Sequence, residues 1–145
     1  MYHYTDSGLS YVYLTNGFST EVVDDEEFVG IDNVHDLHRL IGKNIIAQLR
    51  PITSDEFRFI RIELNISQKA LGKLLGVDSQ TVARWEKAQT VIPRTTDVAL
   101  RALYVESIDE ESQVGFFLTM LSNTEIETAM AELYLEEKDH QWCVA

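Results

Sequence analysis

Basic residues are scarce in this chain. Twelve Lys and Arg stand against 24 Asp and Glu in 145 residues, a formal net charge of −12. A field of that sign opposes the approach of a nucleic acid. Cysteine is nearly absent: Cys143 alone excludes an internal disulfide and supplies no metal cluster. No apolar run is long enough to span a bilayer, which argues against a membrane partner. The opening MYHYTDSG lacks both a basic n-region and an apolar h-region, so no secretory signal is expected and the expected location is cytoplasmic. A glycine-rich phosphate loop, HExxH and G-x-S-x-G are all missing. His3, His35, His38 and His140 are scattered, and Cys143 lies near the end of the chain. His35 and His38 stand three apart, but without further clustered ligands they read as surface or packing residues rather than zinc ligands. The expectation is a protein that is not an enzyme, with no catalytic residue, no metal and no cofactor.

What is present is ordinary in bulk and uneven in detail. A length of 145 residues suffices for one medium core or two small ones, and 45% hydrophobic residues is normal for a globular chain. The acid is not spread evenly. Residues 1–54 carry three basic and eight acidic groups (−5), residues 55–107 eight and seven (+1), and residues 108–145 one and nine (−8). Whatever meets an anion should therefore lie in the middle of the chain.

That middle contains SQKALGKLLGVDSQTVARWEK, residues 67–87. Ser67 suits an N-cap, and Ala70, Leu71, Leu74 and Leu75 fall on one face of a 3.6-residue period. Gly76 suits a left-handed C-cap, Val77 plugs the corner, and Asp78 caps a second helix over residues 79–87. Val82 and Trp85, three apart, share its buried face. Ser79, Gln80, Thr81 and Arg84 are left on the other side. Gln can pair bidentately with adenine and Arg with guanine, while Ser and Thr serve bases or phosphates. Glu86 would repel a phosphate, so it is expected to point sideways or pair with a basic neighbour. Two capped helices around a tight turn are the usual way to present a helix to the major groove.

These residues resemble the helix-turn-helix of the lambda-repressor-like (Cro/C1, or XRE) family of bacterial and phage regulators. Gln68, Ala70, Leu71, Leu75, Gly76, Val77, Thr81, Val82, Trp85 and Glu86 match its pattern in register. The resemblance implies a domain of four or five helices over residues 53–108 and double-stranded DNA as the partner. The family commonly has a Gly after Trp-Glu, where this chain has Lys87 and Ala88. The base contacts implied are Ser79, Gln80, Thr81 and Arg84. The phosphate contacts implied are Gln68, Lys69, Lys87, Arg94 and Thr95, the last two at a helix start that suits phosphates. A wider and weaker similarity, over the opening, the acidic middle and residues 40–50, is to MqsA/YgiT-type antitoxin regulators. Their two Cys-x-x-Cys pairs are absent here, so the implied toxin partner comes without the zinc module.

The remaining organisation follows from pattern. Residues 11–15 and 19–23 alternate as strands around Asn16-Gly17, a hairpin signal, and residues 26–31 suit a third strand after a solvated turn at 24–27. A helix over residues 33–50 should receive Tyr11, Tyr13, Leu14, Phe18, Val22 and Phe28 on Leu37, Leu40 and Ile41. Pro51 ends it, and Thr53 or Ser54 caps the next helix, whose Phe57, Ile60 and Leu64 should pack on Leu71 and Val82. Residues 95–106 form a helix closing the core with Val98, Leu100 and Leu103. Beyond it, Val114, Phe117, Leu118 and Leu121 suit one helix face. Residues 124–137 suit a second helix, with Ile126, Met130, Leu133 and Tyr134 in a stripe and a loose tail after it. The expected fold is mainly α with a small N-terminal β element (α+β overall). It divides into an N-terminal region (1–50), a helix-turn-helix domain (53–108) and an acidic C-terminal helical region (109–145). A homodimer reading an inverted repeat is expected, through either the N-terminal strands or the C-terminal helices. The competing reading is a protein-interaction module that neutralises or scaffolds a partner through its acidic ends.

Overall fold

The computed structural model describes residues 1–108 and 134–144. Two small antiparallel ribbons open the chain. In the first, β1 (Tyr2–His3) pairs with β2 (Tyr13–Leu14), Tyr2 opposite Leu14 and His3 opposite Tyr13. The excursion between them is folded by Ser7, whose hydroxyl donates to the Tyr4 carbonyl at 2.7 Å and accepts the Leu9 N–H at 3.1 Å. Leu9 and Tyr4, on either side of it, are both buried. In the second, β3 (Phe18–Val23) pairs with β4 (Glu26–Ile31) from Phe18 opposite Ile31 to Val23 opposite Glu26. The hairpin expected across Asn16-Gly17 is therefore not formed; β2 turns back to β1. The two-residue hairpin turn that Asn-Gly favours, type I′, needs positive φ at both central residues. Asp24 and Asp25 supply it at 52° and 63°, whereas at 16–17 only Gly17 does.

Five α-helices follow among the described residues. Helix α1 (Val34–Ile46) stops four residues short of its expected end. The Arg101 guanidinium accounts for this, donating to the carbonyls of Ile46 at 3.3 Å, of Gln48, and of Arg50 at 2.7 Å. Helix α2 (Ser54–Glu63) starts on a full capping box: the Thr53 hydroxyl accepts the Glu56 N–H, and Glu56 accepts the Thr53 N–H. Helices α3 (Gln68–Leu75) and α4 (Ser79–Glu86) form the corner, and α5 (Arg94–Ile108) runs back against α2.

One core joins these pieces. Tyr4, Leu9, Leu14, Ile41 and Ile45 from the first 46 residues pack in the same buried cluster as Phe57, Ile60, Leu71, Val82, Trp85, Leu100 and Tyr104. A Cβ at Gly42 would overlap the Tyr104 ring, so glycine sets how closely α1 approaches α5. The expected N-terminal core is corrected in detail. Leu14 and Ile41 are inside, but Tyr11, Tyr13, Val22, Phe28 and Leu40 are exposed, and Tyr4 and Leu9 take their place. In β2 the two faces alternate, so burying Leu14 puts Tyr13 out. On α5, Val98 is exposed and Leu100, Leu103 and Tyr104 are buried. Phe59 is buried as well, against His38 at 5.4 Å between ring centres.

At the other end, β5 (Leu135–Lys138) pairs with β6 (Gln141–Val144) around Asp139 and His140, both at positive φ. Residues 135–137 are therefore strand rather than the end of a helix, and the expected loose tail is the return strand. The alternation that places Leu135, Trp142 and Val144 on one face overrides the helical stripe there. The expected helix face at Val114–Leu121 and the stripe at Ile126, Met130 and Leu133 lie outside the described residues.

Candidate nucleic-acid interface

The corner is built from local hydrogen bonds. The Ser67 hydroxyl accepts the Ala70 N–H at 3.0 Å and opens α3. Gly76, at φ +75°, closes it with its N–H on the Gly72 carbonyl. The Val77 N–H reaches the same carbonyl at 2.8 Å. Gly72 is a requirement that the sequence reading missed: a Cβ there would meet the Val77 carbonyl oxygen at 2.6 Å. Asp78 then caps α4, taking the Thr81 N–H at 2.7 Å and the Thr81 hydroxyl at 2.9 Å on one oxygen. Those two bonds hold its carboxyl below the usual range.

Helix α4 sits with Val82 and Trp85 buried, the indole edge-on to Phe57 at 5.8 Å. Ser79, Gln80, Arg84 and Lys87 are exposed, as the 3.6-residue period requires. Thr81 is half-buried, and its hydroxyl proton is already given to Asp78. Glu86 turns inward. Arg61 of α2 clamps it with two bonds of 2.7 and 2.9 Å, and the Gln68 amide adds one at 3.3 Å. Glu86 thus pairs with a basic neighbour, as expected, and presents no charge to a phosphate. Arg61 also donates to the Ile66 carbonyl at 3.0 Å, so one guanidinium joins α2, the α2–α3 turn and α4.

The proposed phosphate contacts are divided. Lys69 and Lys87 are exposed at the starts of α3 and of the loop after α4. Gln68 stands at the first position of α3, with one amide proton used on Glu86. Arg94 and Thr95 are exposed at the start of α5, where Arg94 is ion-paired with Asp97 at 2.8 Å. The chain leaves α4 through Ala88, at φ +58°. That backbone explains why a glycine is the residue of choice near this exit.

Three polar clusters brace the unit and were not foreseen. Glu56 accepts Arg50 twice, at 2.7 and 2.8 Å, and the Tyr11 hydroxyl at 2.6 Å. Burial pushes its carboxyl up, but the bonds from Arg50, Tyr11 and the Thr53 N–H outweigh this and hold it at about 2. Burial and the bond to Glu56 raise Tyr11 to about 12. Asp97 accepts Arg101 at 2.6 Å and the Ile52 N–H at 3.0 Å. The i,i+4 spacing of Asp97 and Arg101 and the Thr53-x-x-Glu56 pattern were the available signals. The third cluster places His38 between the Tyr4 hydroxyl and Glu63, each at 2.7 Å. His38 is thus a bracket between the N-terminal segment and α2. Among the described residues no group of three His, Cys, Asp or Glu could hold a metal ion, and no helix is long and apolar enough to cross a membrane.

Comparison with known proteins agrees with the geometry. The helix-turn-helix family model matches residues 57–99, which span α2 to the first turns of α5. No curated protein and no solved structure matches the chain. The lambda-repressor-like resemblance of the middle segment is thereby borne out. The chain carries a helix-turn-helix, the DNA-binding unit of regulatory proteins, within an α+β fold.

Proposed function

We propose that this chain is a sequence-specific repressor of transcription that binds double-stranded DNA as a homodimer through α4. The carrying observation is the outward row of Ser79, Gln80 and Arg84 on a helix whose other face is locked by Val82, Trp85 and the inward-turned Glu86. Gln80 and Arg84 are the base readers, with Ser79 and Thr81 beside them. Gln68, Lys69, Lys87, Arg94 and Thr95 position the phosphates. One such unit offers a small contact and the chain is strongly acidic, so two copies on an inverted repeat, about 34 Å apart, supply the affinity.

Selection of a bound site from random duplexes by the full chain, followed by fluorescence anisotropy, tests this. Gln80→Ala or Arg84→Ala should each cost about 1–3 kcal/mol on the selected site and relax its sequence preference. Equal binding by the wild type and the double variant would remove α4 from the interface. Sedimentation as a monomer, both free and on the selected site, would remove the dimer. The wider antitoxin resemblance extends the proposal to autoregulation beside a toxin gene. Co-purification with the product of an adjacent reading frame, and binding to the shared promoter, test that extension.

A further inference from the structure

The β3–β4 ribbon has a face that the described residues leave open. Its register puts Glu21 opposite Phe28 and Val23 opposite Glu26 on that face. Phe28 is 51% exposed and Val23 46%. Around them Glu21, Asp24, Asp25, Glu26 and Glu27 crowd into seven positions, and no Lys or Arg occurs before Arg39. None of these carboxylates has an ion pair among the described residues.

The helix-turn-helix shows the opposite imbalance. Lys69, Lys73, Arg84 and Lys87 are exposed, and none is ion-paired among the described residues. In the loop that follows α4, Val91 is 89% exposed. One chain therefore carries both an acidic, partly apolar ribbon and a cationic surface with an apolar loop beside it, and neither is satisfied among the described residues.

We propose that the β3–β4 ribbon docks on the recognition face of a second copy of this chain and competes there with DNA. The inference rests on the reading of α4 as the DNA-binding helix. The carboxylates take the place of phosphates on Lys69, Lys73, Arg84 and Lys87. Phe28 and Val23 add an apolar contact that DNA phosphates lack. If each copy lends its ribbon to the other, the contact closes on a two-fold axis and both recognition helices are covered. DNA binding and self-docking then exclude one another, and salt weakens both.

Zero-length carbodiimide crosslinking reads the contact directly, because it joins only carboxylates and amines that touch. Equimolar full-length chains, one labelled with nitrogen-15, are mixed at low salt with and without an unrelated DNA duplex. The expected products are mixed-isotope crosslinks joining residues 21–27 to Lys69, Lys73 or Lys87, lost in excess duplex. Phe28→Ser keeps the charge unchanged and alters an exposed position. It should lower their yield about fivefold, the equilibrium weight of a half-exposed Phe side chain. Absence of mixed-isotope crosslinks between these segments overturns the proposal, and a basic partner other than this chain would then take the ribbon. Crosslinks that persist at full yield in Phe28→Ser, or in a duplex that anisotropy shows to be bound, overturn it too. A chain that forms the crosslinks yet binds no duplex in the anisotropy assay keeps the docking contact and loses the DNA reading, so the two fail separately.

Discussion

Carboxylates behave in opposite ways in the helical body and in the β3–β4 ribbon. In the body, Glu56, Glu86 and Asp97 are buried, and each is gripped by an arginine from another turn or helix. In the ribbon, five carboxylates stand in solvent without an ion pair among the described residues. The first set holds elements together: Arg50 and Tyr11 to α2, α2 to α4, α5 to the end of α1. The second set repels itself and is held only by the backbone ladder. The buried acids Glu56, Glu86 and Asp97 are braces, and the five ribbon acids leave a field uncompensated among the described residues.

The largest break in that contrast should come from Arg101. Its guanidinium holds Asp97 and three carbonyls at the end of α1 and the linker. Arg101→Ala leaves a carboxylate that is 2% exposed with only Arg94 and one backbone N–H. The expected loss is about 3–5 kcal/mol, the usual result of removing one partner of a buried pair. Urea unfolding followed by far-ultraviolet circular dichroism measures it. A loss no larger than that of a surface substitution would show that Asp97 is not a brace.

A smaller effect should follow from pH. The Glu56 carboxyl sits at about 2 in the folded chain, against an ordinary 4.5. A depressed carboxyl adds stability that is complete above the unfolded value and fades as pH falls through the folded one. Stability should therefore drop between pH 4.5 and 2. Its Arg50 partner is half-exposed, so the Glu56 share is about 1–2 kcal/mol after screening. Glu56→Gln should flatten that part of the pH–stability curve. An unchanged slope in the variant would assign the acid loss to other groups.

Ala88 sharpens the comparison from the side of the backbone. The ribbon turn uses Asp24 and Asp25 at positive φ, a residue type that tolerates it, while the exit of α4 uses Ala88 at φ +58°. Ala88→Gly should stabilise the helix-turn-helix by about 1 kcal/mol by removing the Cβ clash of the left-handed region. The measure is a raised thermal midpoint with no change in DNA affinity.

Legibility in the sequence divides along the same line. The corner could be read because its determinants are local: Ser67 and Asp78 as caps, Gly76 as a stop, Leu71 and Val82 at helical spacing. The inward turn of Glu86 and the engagement of Gln68 could only be half-read, because their common partner Arg61 arrives from another helix. The N-terminal segment resisted because its pairing joins Tyr2 to Leu14 across an excursion. Tyr4 and Leu9 are buried on either side of a turn closed by the Ser7 hydroxyl, and no period in the sequence marks it. Neighbours on a strand face opposite ways, so Tyr13 and Leu14, both expected inside, cannot share a face, and only Leu14 is buried.

The smallest expected effect lies on the ribbon itself. Glu26 and Glu27 flank the Asp24–Asp25 turn opposite Val23 and Val22, and no cation faces them among the described residues. Replacing both with Gln removes like-charge repulsion and breaks no bond. The double variant should unfold at a slightly higher temperature than the wild type at low salt, and at the same temperature once salt screens the tip. This is the reverse of what Arg101→Ala should do, and the two together test the contrast. A clear loss of stability in the Glu26→Gln, Glu27→Gln chain would mean that the ribbon acids are braces as well. The division between bracing acids in the helical body and unpaired acids in the ribbon would then fail.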